Sequence, residues 1–220
     1  MRARSVITAV SMLSVVALAG LAGLGVAGSA AAHEEPVPTS FRGLINDYTP
    51  SGVSGGPYEM HGKWHLELNE YRGTANFTAE MSMQTSQYAS QAGQADPGAL
   101  GSHTHHFSMT HATISYDPKG CPSSIAPTPR TTTGFVVTGL VHITGNGQPA
   151  PFEMSPGTTQ LTPSPLTICV TGGAHVEFSN ITLVLEAPAA RHFGTQAIHG
   201  VVVECNRAWA RESGDCAVQE

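Results

Sequence analysis

Along residues 58–68 apolar and polar side chains alternate: Tyr58, Met60, Trp64, Leu66 and Leu68 hold one parity, and Glu59, His61, Lys63, His65 and Glu67 hold the other. Successive side chains of a strand point to opposite faces, so this pattern predicts a strand with one buried and one wet face. The next stretch repeats it, with Ala75, Phe77, Ala79, Met81 and Met83 on one parity and Asn76, Thr78, Glu80, Ser82 and Gln84 on the other. Residues 69–73 form a turn between them, so the two runs predict a long hairpin. Further strands are predicted at 103–116, 132–144, 166–171, 175–187 and 197–205, with a weaker one at 41–46. Pro97-Gly98, Asp117-Pro118, Gly145-Asn146-Gly147, Gly172-Gly173 and Pro188 punctuate them.

No window of helical length carries a 3.6-residue period, and the expectation is a single all-β, antiparallel domain. Several runs approach a dozen residues, longer than the usual five or six. Their sequential, hairpin-like order suits an up-and-down β-barrel, with a β-sandwich or jelly roll as the alternative. The connections at 85–101, 118–130 and 145–165 are long and rich in Gly, Pro, Ser or Gln, and long loops in a compact domain are often functional.

The N-terminal 32 residues differ from the rest. Arg2 and Arg4 precede an uncharged run to Gly28, followed by Ala30-Ala31-Ala32, the pattern of a cleaved secretory signal peptide. The expected division is therefore a leader at 1–32, a β domain at 33–205 and a short polar tail at 206–220. No second apolar run of that length follows, so the cleaved form is expected to be soluble, outside the cytoplasm (extracellular or periplasmic), with no membrane partner. The full chain has 10 basic and 16 acidic residues, a net charge of −6. Losing Arg2 and Arg4 leaves eight basic residues and a net charge of −8. An acidic chain with so few lysines offers no basic face for phosphates, which excludes nucleic acid as a partner. With 24 Gly and 15 Pro in 220 residues, these two types stay below the roughly 25–30% that marks low complexity.

Export changes how the four cysteines read, because an even number in an oxidising compartment implies disulfides. Cys205 and Cys216 bracket the polar tail and are expected to pair, which leaves Cys121 with Cys169. No C-x-x-C spacing supports a cysteine metal site.

The compositional oddity is eleven histidines, all after residue 32. The densest run is Ser102-His103-Thr104-His105-His106-Phe107-Ser108-Met109-Thr110-His111. On a strand, His103, His105, Phe107, Met109 and His111 share a face, and same-face neighbours lie roughly 6.6 Å apart. Two imidazoles at that spacing can converge on one metal ion, with zinc or copper suited to the ligand type. The remaining ligand must come from elsewhere, and His192 and His199, each in a Gly-flanked segment late in the chain, are the candidates. His111, His61 and His65 are weaker ones. His33 is a further candidate, because cleavage after Ala32 would make it N-terminal, where amine and ring together can chelate copper.

The H-x-H pair resembles that of the cupins, but Phe107, Ser108, Met109 and Thr110 stand where their motif carries a glutamate. It also resembles that of the copper–zinc superoxide dismutases, whose glycine-rich metal loop has no counterpart here, so neither family is assigned. Nucleophile-elbow, Walker and Rossmann signatures are absent. Three functions stay open: a secreted module binding a metal ion or small ligand at a histidine-lined site; a metal-dependent extracellular enzyme using the same histidines; and a carrier of apolar molecules, with Trp64, Phe77, Met81 and Met83 lining the barrel.

Overall fold

The structure is a computed structural model that describes residues 38–50, 52–53, 56–85, 102–117, 121, 134–154, 161–171 and 180–206. The leader at 1–32, His33, His175, Cys216 and most of the connections at 85–101 and 118–130 lie outside the described residues. The strands are β1 (Thr39–Tyr48), β2 (Tyr58–Asn69), β3 (Thr74–Thr85), β4 (His103–Ser115), β5 (Gly134–Gly145), β6 (Gln148–Pro149), β7 (Ser164–Thr171), β8 (Asn180–Leu185) and β9 (Ile198–Asn206). β1 to β5 each pair with the next in antiparallel register, followed by β5 with β7, β7 with β8 and β8 with β9. β9 then pairs back onto β1 and closes an eight-stranded up-and-down barrel. Because every barrel strand pairs with its sequence neighbour, no strand crosses between sheets as a sandwich or jelly roll would require. β6 is a short return arm on β5, formed by a two-residue turn in which Asn146 and Gly147 both have positive φ, the hairpin geometry that favours Asn-Gly.

The alternation read from the sequence points inward. Tyr58, Met60, Trp64, Leu66 and Leu68 from β2 and Phe77, Met81 and Met83 from β3 are buried in one core with Phe41, Phe107, Val141, Ile168 and Leu183. An eight-stranded barrel has an interior just wide enough for its own side chains or for one small ligand. Trp64, Phe77, Met81 and Met83 are all packed into this core, none more than 2% exposed. Gly43, inward on β1, makes room for the largest of them: a Cβ there would run into the Trp64 ring and the Val201 carbonyl.

One parity expectation is corrected. His111 does not share the inward face of His103 and His105, because β4 carries an extra residue here relative to both neighbours. His111 has φ 56°, its backbone N–H donates to Asn76 Oδ1 at 3.1 Å, and its side chain is exposed. The bulge resets the alternation, so Ala112 takes the next inward position.

On the outer wall Val136 and Cys169 are register partners, and both are buried beneath Cys121. A disulfide joins Cys121 to Cys169, with Cα atoms 5.9 Å apart, and ties the β4–β5 connection to β7. Cys205 packs against the core at the far end of β9. No described helix is long and apolar enough to cross a membrane.

Gly43→Ala is expected to lower stability by about 1–3 kcal/mol through overpacking against Trp64. Thr113→Val, on the outward parity of β4, should stay within about 0.5 kcal/mol of wild type. Urea unfolding midpoints check both.

Candidate metal centre

β4 enters the barrel at His103 and His105, whose inward parity sends both rings into one mouth, where they are buried. The β8–β9 connection crosses the same mouth and carries the one-turn helix α1 (Ala190–Phe193). Phe193 is the anchor of that turn: it is buried against Phe107 and His105, with ring centroids 5.3 and 5.0 Å away. The Ala189 N–H donates to the buried Ser164 Oγ at 3.0 Å, fixing the start of the turn to β7. With Phe193 plugged in, the preceding residue, His192, is presented over the β4 pair.

The three rings meet at Nε2. His192 Nε2 lies 3.1 Å from His103 Nε2 and 3.0 Å from His105 Nε2. All three ligand atoms fall within 4.8 Å of one another, and this is the one such group among the described residues. Zn–N bonds of about 2.0–2.1 Å in tetrahedral geometry would set the nitrogens about 3.3–3.4 Å apart, so a small outward relaxation would admit an ion. The three histidines could hold a metal ion. The His105 Nδ1–H donates to the Thr144 carbonyl at 3.1 Å, so the neutral ring carries its lone pair on Nε2. A backbone acceptor behind a ligating imidazole is the usual device for fixing its tautomer and orientation.

Aromatic rings cover part of the group. Tyr58 meets His103 edge-on at 5.2 Å, and Phe152 stacks on His192 at 5.4 Å with planes inclined by 22°. Phe152 belongs to a single 3-10 turn, Pro151–Glu153, which is held down by Glu153. That carboxylate is buried; its Oε1 accepts the Ile143 N–H at 2.8 Å and its Oε2 lies 3.6 Å from His142 Nδ1. Burial pushes the Glu153 pKa up. Burial, reinforced by the neighbouring His192 and His103 rings, lowers His105 from 6.5 to about 3. Burial and then His103 lower His192 to about 4. Both are neutral near pH 7, the form in which imidazole binds a metal.

The other candidate histidines are elsewhere. His199 is on the outward parity of β9 and is not brought to the group: its backbone N–H and ring Nδ1 lie 2.7 and 3.1 Å from Asp47 Oδ2, so it joins β9 to β1. His61 and His65 are on the outer face of β2, each 3.7 Å from a carboxylate, Glu59 and Glu67 respectively. They form no cluster with the mouth. His111 is turned out by the bulge, and His33 lies outside the described residues. Sequence reasoning missed Thr144, Phe152 and Tyr58, which orient and desolvate the group. Only Tyr58 carried a signal, as the first inward residue of its strand.

No protein family, curated protein or solved structure matches the chain. Fold and site together define a closed eight-stranded antiparallel barrel with three histidines gathered at one mouth.

The lowered imidazoles carry a pH dependence. Below pH 6.5 the unfolded chain takes up protons that the folded, metal-free protein does not, so stability is whole above that pH and declines as pH falls toward 4 and then 3. Urea midpoints of metal-free protein should fall from about pH 7 to about pH 4.5, and less steeply in His105→Phe. Equal slopes in the two proteins would contradict this assignment.

Proposed function

We propose that this protein is a secreted barrel that binds one first-row transition-metal ion, zinc or copper, through Nε2 of His103, His105 and His192. The observation that carries the reading is the convergence of three imidazole nitrogens, from two buried rings and one half-buried ring, one of them oriented by the Thr144 carbonyl. Three neutral nitrogen ligands suit zinc and copper better than the oxygen-seeking calcium or magnesium. Export is supported by the leader pattern at 1–32 and by the Cys121–Cys169 disulfide, since such bonds persist in oxidising compartments.

Three protein ligands leave a coordination position open, as in catalytic zinc sites. A metal-dependent enzyme is the second reading on that ground. Binding is favoured because no Asp or Glu lines the described mouth to serve as general base beside the ion.

Elemental analysis of protein dialysed after loading with zinc or copper should give one equivalent in wild type. His103→Ala combined with His105→Ala should abolish retention, while His199→Ala retains the full equivalent. A wild-type protein that neither retains nor takes up stoichiometric metal would refute the reading.

A further inference from the structure

The space outside the three histidines is a pocket of about 480 Å³ that opens to solvent. Besides the imidazoles it is lined by Asn146, Gln148, Pro149, Pro151, Phe152 and Arg191. Arg191 is the one charged side chain among these, and no described carboxylate pairs with it. Asn146 Oδ1 is occupied, because it accepts the Thr104 N–H at 3.0 Å. Phe152 and the two prolines make an apolar wall of the lining.

From these facts we infer that the pocket receives a small organic carboxylate with an apolar body, bound at the open position of the metal and by Arg191. The inference rests on the metal reading above. A divalent ion held by three neutral imidazoles keeps its double positive charge, and Arg191 in the same lining adds another, with no anion among the described lining residues to offset either. The fourth ligand that balances this mouth is an anion. A single guanidinium fork matches the two oxygens of a carboxylate, whereas a phosphate would leave its further oxygens facing Phe152 and the prolines. The same wall accepts the ligand's hydrocarbon part, and the volume lies within the range of small-molecule sites.

Cobalt-loaded protein titrated with benzoate and followed by visible absorption tests this. Benzoate should change the cobalt bands saturably, benzamide should not, and inorganic phosphate should bind more weakly than benzoate. Arg191→Met, loaded with cobalt, should bind benzoate about tenfold more weakly. Phe152→Leu should weaken benzoate more than acetate. Cobalt bands untouched by benzoate, benzamide binding as well as benzoate, phosphate binding more tightly, or Arg191→Met binding benzoate like wild type would each overturn the carboxylate assignment while leaving the metal site intact. Failure of zinc, copper and cobalt alike to bind would instead overturn the metal reading, and this inference with it.

Discussion

Pairing of the first strand with the last is the constraint on which the rest depends. An open eight-stranded sheet would expose two rows of unpaired backbone groups and leave its apolar face half covered. Once β9 lies on β1, each inward residue faces only other inward residues, and the interior is reached only through the two mouths. The seam has its own clasp in His199, whose backbone and ring both meet Asp47. A histidine that resembles a metal ligand by its place in the chain thus helps close the barrel.

Closure also explains why two buried imidazoles and a half-buried one can be adjacent. At the mouth the strands still impose inward parity, but the core no longer fills the space, and connections supply the covering groups. α1 contributes His192 and plugs Phe193 into the opening, while the turn at Pro151–Glu153 lays Phe152 over His192. Drawing these imidazoles out of water without a bound ion costs solvation, visible in the lowered protonation of His105 and His192. A metal ion that takes up all three lone pairs offsets that cost. Glu153 adds a second buried polar group at the edge of the site, and its bond to Ile143 N–H holds the Phe152 turn against β5.

Much of this was legible in the residues, because period-two alternation is local and survives folding. The β2 and β3 parities, the strand order and the shared face of His103 and His105 all follow from it. What alternation could not carry was any break in its own period. His111 matches the inward parity on paper, and only the extra residue in β4 turns it outward. His192 and His199 lay equally close to glycines, and their separation depends on whether each sits on a connection or on an outward strand position. Thr144 acts through its carbonyl, which every residue possesses, so no side-chain pattern could reveal it. Phe152 stood in a proline-rich loop whose path is set by a buried glutamate ten residues from its backbone partner.

X-ray absorption at the zinc edge of zinc-loaded protein reads the ligand atoms of the three-histidine site themselves. Three imidazole nitrogens at about 2.0–2.1 Å are expected, with the multiple scattering of ordered rings, and one further light atom. A sulfur ligand, or an all-oxygen shell without imidazole scattering, would contradict that ligand set.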